Sequence, residues 1–410
     1  MTLITDMDYE IIAPRNGVFD DFTPKGTLPF EDITLDFVDV LSKTILNNSK
    51  AKSFPELIAL AYWMRRANIV KLKDEFYKTT PDALFLSRGN AFHIAPSNVD
   101  TIFVYSWILS LLSGNANIVR ISRKSNRQLD ILVDFVNLLL EKVEFKNIRS
   151  RNLIVRYNHD DSITGHFSKL ADVRIIWGGD ETVEKIRKIA VKPSAVELSF
   201  SNKFSFCVIK SSALVQTKAD ELCRVASNFY NDSYLFDQLA CSSPRLVIWI
   251  GNEEENQMAR ELFWGSLQEK LQKENIIINP VHIIDKIVSK YSFAIQDNHS
   301  SRNIPSKKYN LDRIEIQKLS SFIRQCHSGH GLFYEYLAQS LNDISSFIDK
   351  NDQTMGIFGF SKEEIITFLK YNKIHGITRI TSIGKALEFS NIWDGYNLLR
   401  SFTREVAFQL

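Results

Sequence analysis

The chemistry most clearly indicated in this chain is that of a thiol. Cys241 stands in Asp237-Gln238-Leu239-Ala240-Cys241-Ser242-Ser243-Pro244, followed by the apolar run Leu246-Val247-Ile248-Trp249-Ile250. Upstream, Leu222, Val225, Ala226 and Phe229 recur at helical spacing within residues 218–230, so the cysteine falls between a helix and a buried strand. A thiol on such a loop, close to backbone N–H groups, can ionise and attack a carbonyl carbon. The plainer reading is a small core residue, since free cysteine is among the most buried side chains. The stretch alone leaves both open.

A nucleophile needs a frame, and the preceding residues supply one. Residues 83–86 read as a strand, Arg88-Gly89-Asn90 as a turn and residues 91–95 as a second strand, ending at Pro96-Ser97-Asn98. An apolar helix over 99–112 closes at Ser113-Gly114-Asn115, with Asn98 placed to cap its start. Strands follow at 117–121, 152–157 and 173–177, separated by the amphipathic pattern Leu129, Leu132, Phe135, Val136, Leu139. Alternating strands and helices predict a parallel sheet of the dinucleotide-binding type. The GxGxxG signature is absent. Gly178-Gly179 instead marks the turn into a helix over 183–189, either admitting a phosphate to backbone N–H groups or serving as plain turn chemistry. Ahead of the strands, one helix over 35–46 and two more patterns over 54–78 are predicted to pack on the main body.

Composition bounds the function. The 410 residues, 44% hydrophobic and 24% charged, are those of a soluble protein of two or three domains. Fifty basic against forty-eight acidic side chains leave +2, so neither nucleic acid nor a membrane surface is expected as partner. Cysteines 207, 223, 241 and 326 show neither disulfide nor zinc spacing. No metal site is indicated, and His327, His330 and His375 read as ordinary surface or loop residues. No signal peptide is visible, and the most apolar run, residues 102–112, is too short for a membrane span. A cytoplasmic location is expected. Residues 298–309, polar and basic, read as a loop insertion.

Four segments carry a resemblance: Gly89-Asn90-Ala91-Phe92-His93-Ile94-Ala95-Pro96-Ser97-Asn98, Ser113-Gly114-Asn115-Ala116-Asn117-Ile118-Val119-Arg120, the cysteine loop, and Ile392-Trp393-Asp394-Gly395-Tyr396-Asn397. In order and separation they resemble the aldehyde dehydrogenase superfamily, and more closely the acyl-CoA reductases of the LuxC family, a component of the bacterial luminescence fatty-acid reductase complex. The likeness runs from about Leu84 onward. It implies an α/β, aldehyde dehydrogenase-like fold with a Rossmann-type cofactor domain and an α/β catalytic domain. The expected division is a helical segment over 1–80, the cofactor domain over 81–195, the thiol domain over 196–375 and a returning segment over 376–410.

The resemblance also implies roles. Cys241 is the nucleophile and Asn98 donates its amide to the oxyanion, a donor typically worth roughly 3 kcal/mol in the transition state. Pro96 and Ser97 share that turn beside the cofactor. Arg120 falls at the adenosine ribose, and Arg120, Arg123 and Lys124 together favour NADPH, since guanidinium grips phosphate bidentately; a solvated basic turn is the alternative. Gly178, Gly179 and Thr182 fall at the cofactor turn. Phe358 falls near the nicotinamide, in a segment, Gly356-Ile357-Phe358-Gly359-Phe360, that lacks the family's glutamate and proline. Glu197 matches the glutamate that activates water in hydrolytic members, with Ser199-Phe200 replacing the usual Gly-Gly; an aldehyde-forming enzyme would use it to ionise Cys241 or handle a proton.

The expected activity is NADPH-dependent reduction of a long-chain acyl-CoA or acyl-protein thioester to a fatty aldehyde through a Cys241 thioester. Aldehyde oxidation with Glu197 activating water is the enzymatic alternative, and a non-catalytic scaffold docking an acyl transferase or synthetase is the other. A homo-oligomer, and an acyl-protein synthetase or transferase as partner, complete the expectations.

Overall fold

Apolar, β-branched runs separated by amphipathic helices fold into two parallel sheets, each in its own unit. The computed structural model describes residues 7–78, 83–95, 101–123, 127–276, 278–297, 301–304 and 310–409. One unit comprises Met1–Asn202 with Phe389–Leu410, the other Lys203–Glu388.

In the first unit the strands are β1 (Glu10–Ala13), β2 (Leu84–Ser87), β3 (Asn90–Ile94), β4 (Ala116–Ile121), β5 (Asn152–Arg156), β6 (Val173–Trp177) and β7 (Val196–Phe200). Six of them form a sheet in the order β1-β5-β4-β3-β6-β7, parallel except for β1. The helices are α1 (Asp32–Asn47), α2 (Pro55–Trp63), α3 (Arg66–Lys78), α4 (Thr101–Leu112), α5 (Arg127–Leu140), α6 (Lys146–Ser150), α7 (Asp161–Leu170) and α8 (Asp180–Arg187). Strand order reverses between β3 and β6, so a ligand crevice belongs outside their carboxyl ends. Because β7 hydrogen-bonds to β6, the chain passes to the second unit only after Asn202.

Helix α4 is apolar on nearly every side because it lies in the core: all its residues but Ile102 are buried. Ser106, deep in this helix, is satisfied by its neighbours. The Ser106 hydroxyl accepts from Trp177 Nε1 at 3.1 Å and lies 2.8 Å from His93 Nδ1, while His93 Nε2 lies 3.1 Å from Asn117 Oδ1. Burial pushes His93 down to about 4, so it is neutral at pH 7. The returning segment closes this unit, with Thr403–Val406 pairing antiparallel to β2 and Asn115 Nδ2 donating to Phe402 O at 3.0 Å.

The second unit holds β8 (Phe204–Lys210), β9 (Leu246–Ile250), β10 (Arg302–Ile304), β11 (Asp312–Glu315), β12 (Leu332–Ala338), β13 (Asp352–Phe358) and β14 (Arg379–Ser382). Their order is β10-β11-β12-β9-β8-β13-β14, with only β10 antiparallel. Around them lie α9 (Ser211–Val215), α10 (Ala219–Tyr234), α11 (Glu253–Lys273), α12 (Pro280–Gln296) and α13 (Lys362–Tyr371). Helix α10 buries Val225, Ala226, Phe229 and Tyr230, and its Phe229 ring meets those of Phe263 and Trp264 on α11 at 5.0 and 5.9 Å. This packing fixes where α10 ends and the thiol loop begins. No described helix is long and apolar enough to cross a membrane.

Candidate active site

Cys241 sits on the connection from α10 to β9, the central strand of the second sheet, on the side where its parallel strands begin. It is half-buried and outside any disulfide, whereas Cys207 and Cys326 are buried and Cys223 is exposed. Burial pushes the Cys207 thiol well above its ordinary value and raises that of Cys326, so neither suits nucleophilic work.

The loop is held by an unusual backbone. Asp237 and Gln238 both occupy the left-handed region, at φ 51° and 60°, where a non-glycine residue is strained. Gln238 offsets that cost with its own side chain, which is 1% exposed: Nε2 donates to Pro244 O at 2.9 Å and Leu332 O at 3.0 Å, and Oε1 accepts from Gly331 N at 3.0 Å. Gly331 must be glycine, since its φ is +80° and a Cβ would meet Asn310 O at 2.4 Å. Nearer the thiol, Ser205 Oγ donates to Cys241 O at 2.6 Å, and Arg245 N donates to Ser205 O at 3.0 Å.

A histidine clamp grips the other end of the loop. His330 Nδ1 lies 2.6 Å from Asp237 Oδ2, and His330 N donates to Asp237 O at 3.0 Å. His282, from the start of α12, brings its Nδ1 to 3.4 Å from the same oxygen, and its ring stacks on that of His330 at 3.6 Å and 11°. These three form the one histidine-carboxylate group drawn tightly together among the described residues. His330 hydrogen-bonds that carboxylate, while His282 stacks on His330 within ion-pair distance of the same oxygen, and together they clamp the thiol loop. The expectation that His330 is an ordinary loop residue is therefore corrected. The signal for it was Gly329-His330-Gly331, a histidine between two glycines.

In the first unit, a cavity of about 250 Å³ opens at the carboxyl ends of β3, β4 and β5 and the start of α8, lined by Ile94, Arg120, Tyr157, His159, Thr182 and Lys185 among others. This is where the strand order directs a ligand. Arg120, 8% exposed, donates to Tyr157 O at 3.2 Å, with its guanidinium 5.3 Å from the Tyr157 ring. Lys185 is engaged by Asp161 at 3.8 Å, and Asp160 accepts from Ser162 N and Ile163 N, capping α7. Gly178-Gly179 forms the turn between β6 and α8, where a Cβ on Gly178 would come within 3.1 Å of Thr182 Cγ2. Thr182 lines the cavity. Arg123 lies outside this lining, exposed and 3.0 Å from Asp8.

Glu197 is on β7, with Oε2 accepting from Arg174 Nε at 2.7 Å and Oε1 from Arg187 Nε at 3.1 Å. Phe358 ends β13, half-buried against the cluster around Cys207 and Phe229. Pro96, Ser97, Asn98 and Lys124 lie outside the described residues. The structure thus groups Arg120 and Thr182 around the crevice of the first unit and places Cys241 and Phe358 in the second.

Comparison with known proteins bears on this geometry. The family model for acyl-CoA reductase (LuxC) matches residues 68–405. The long-chain acyl-protein thioester reductase of Aliivibrio fischeri is 27% identical over 311 residues, 72% of this chain and 58% of that protein. Long-chain acyl-protein thioester reductase 2 of Photobacterium leiognathi is 25% identical over 315 residues, 73% of this chain and 59% of that protein. The chain thus spans just under three-fifths of the length of either relative. Among solved structures, aldehyde dehydrogenase 21 from Physcomitrella patens superposes with a TM-score of 0.65 at 9% identity, covering 91% of this chain and 85% of that one. The fold is that of the aldehyde dehydrogenases.

Proposed function

This chain belongs to the LuxC family of acyl-CoA reductases, and from that premise we propose that it reduces a long-chain acyl thioester to the aldehyde, with NADPH as reductant and Cys241 as transient acyl carrier. The acyl donor in this reading is coenzyme A or a protein, the latter in keeping with the names of the two bacterial reductases. A protein donor calls for an acyl-delivering synthetase or transferase as partner, acting on what we take to be a homo-oligomer. The observation that carries the reading is the half-buried Cys241 on a loop pinned by Gln238 and Ser205, while Cys207 and Cys326 are buried and Cys223 lies exposed on α10.

The Cys241 thiolate attacks the acyl carbon, the carbonyl electron pair moves to oxygen, and collapse expels the first thiolate, leaving Cys241 acylated. Asn98 and the Cys241 backbone N–H serve as oxyanion donors in this scheme. NADPH, when bound, supplies the hydride that reduces the thioester. The thiohemiacetal on Cys241 then releases aldehyde and restores the thiolate. One proton is consumed overall, on the departing thiol.

The crevice of the first unit suits one end of such a dinucleotide. Asp160 already caps α7 and two acids occupy the first turn of α8, so Arg120 is the group left to meet a phosphate or ribose. Thr182 and the Gly178-Gly179 turn flank it, and Arg123 stands by with Asp8 as its present partner. Arg120→Gln is expected to raise the KM for NADPH at least about tenfold, the loss of one charge-assisted contact. Arg123→Glu is expected to shift preference toward NADH; an unchanged ratio of the two cofactors removes Arg123 from the site. Glu197 enters as a handler of protons. Guanidinium groups already hold both of its oxygens, so a water would have to share them with Arg174 and Arg187, which favours reduction over oxidative hydrolysis.

Intact-mass analysis with a long-chain acyl-CoA tests the scheme. An acyl adduct is expected without cofactor, discharged as aldehyde when NADPH is added, and absent from Cys241→Ala. An adduct persisting in the alanine variant would place the nucleophile elsewhere.

A further inference from the structure

Three half-buried guanidinium groups of the second unit are matched with carboxylates. Arg260 meets Glu335 at 3.0 Å and Glu315 at 2.6 Å, Arg313 meets Glu335 at 3.2 Å, and Arg324 meets Asp352 at 2.6 Å. Arg245 breaks this pattern. It is 8% exposed, its NH1 donates to Lys203 O at 3.3 Å, and its buried Nε finds no acceptor among the described residues. No carboxylate pairs with it among the described residues.

Four residues upstream stands Cys241, the thiol of the loop. Burial pulls Arg245 down to about 10, and the Cys241 thiolate is the group that opposes this. The two residues are drawn together by a shared partner: Ser205 accepts the Arg245 N–H through its carbonyl and donates its hydroxyl to Cys241 O. Electrostatic attraction is mutual, so a guanidinium fixed beside a thiol favours the thiolate as the thiolate favours the guanidinium.

We propose that Arg245 is the fixed counter-ion of the Cys241 thiolate, a positioning residue that keeps the sulfur ionised and nucleophilic near neutral pH. Its backbone holds it in place, since its N–H bonds to Ser205 and its carbonyl accepts from Tyr334 N at 2.9 Å. Other titratable groups surround the loop. His327, whose buried Nδ1 has no partner, is kept neutral by burial and by the Arg245 charge. Asp232 lies behind the loop, its carbonyl accepting from Ser243 Oγ at 2.7 Å, and Asp237, His282 and His330 clamp the far end. Asp232, Asp237, His282 and His330 are common to wild type and to Arg245 variants, and comparing the two in a His327→Gln background removes the one neighbour whose charge Arg245 itself governs. The inference rests on the reading above only in taking Cys241 as the reactive thiol.

The test is the rate at which iodoacetamide alkylates Cys241 in the full chain across a pH series, followed by peptide mass spectrometry in a Cys223→Ser background that removes the exposed thiol. Wild type should show a midpoint at least about one unit below the ordinary thiol value of about 8.5. Arg245→Met should raise it by about one unit, slowing alkylation near pH 7 roughly tenfold, and Arg245→Lys should retain most of the wild-type rate. A wild-type midpoint at or above the ordinary value overturns the proposal, and so does a folded Arg245→Met variant that matches wild type. If circular dichroism shows that variant unfolded, the wild-type midpoint decides. Acyl-CoA labelling of the same samples separates this inference from the reductase reading: a low, Arg245-dependent midpoint without acyl adduct upholds the counter-ion and removes the reductase, while an adduct on a thiol of ordinary midpoint does the reverse.

Discussion

Gln238 does more for the thiol than its place in the sequence suggests. Its side chain joins three backbone groups from two segments of chain, and Gln238→Ala would leave Pro244 O, Leu332 O and Gly331 N buried and unmatched. At about 1 kcal/mol or more for each, the variant should lose roughly 3 kcal/mol in urea denaturation and acylate Cys241 more slowly. A loss under about 1 kcal/mol would mean that the left-handed turn holds without the glutamine. The sequence made the cysteine legible through its small neighbours and the strand after it. The residues that hold it were not legible, because Gln238 and Asp237 find their partners 93 and 94 residues further on, a distance that local spacing does not reveal. Arg245 offered one local signal, a cation set at the mouth of an apolar run. That pattern also describes any strand with a charged first residue.

At the scale of elements, periodicity served well where one face or every face of a segment is buried. The patterns over 35–46, 117–121 and 173–177 correspond to α1, β4 and β6, and the helix read over 218–230 runs on to Tyr234 as α10. Strand partners were beyond its reach, since β2 pairs with residues more than three hundred positions later. Within the apolar α4, packing shows Ser106 to be the hydroxyl shared by His93 and Trp177. That contact has a pH signature. An imidazole held down to about 4 in the fold and near 6.5 in the unfolded chain binds its proton first when unfolded. Its contribution is whole above about 6.5 and falls away as pH drops toward 4, by up to ~3 kcal/mol. Thermal melts from pH 7 down to 4 should show this acid loss, and His93→Gln should flatten it. An equal slope in both proteins would assign the loss to other groups.

For the molecule as a whole, the two sheets make separate demands. The order of motifs from Gly89 to Asn397 conveyed the fold class, while the passage between units at Asn202 and Glu388 depends on which strand takes which neighbour. If the crevice of the first unit holds the nucleotide, NADPH should slow hydrogen exchange at residues 118–122, 157–164 and 178–186. Protection confined to 203–388 would move the cofactor to the other unit.

The division of the chain also sets an order of events at the ribosome. The first unit is completed only by a late segment, Thr403–Val406 beside β2 and Ser401 O accepting from Arg88 Nε at 2.6 Å. Residues 203–388 are synthesised before that closure is available, so the second unit can finish folding while the first still waits with β2 unpaired. A chain released with its end at Glu388 should therefore resist protease over residues 203–388 and be cut within residues 1–202.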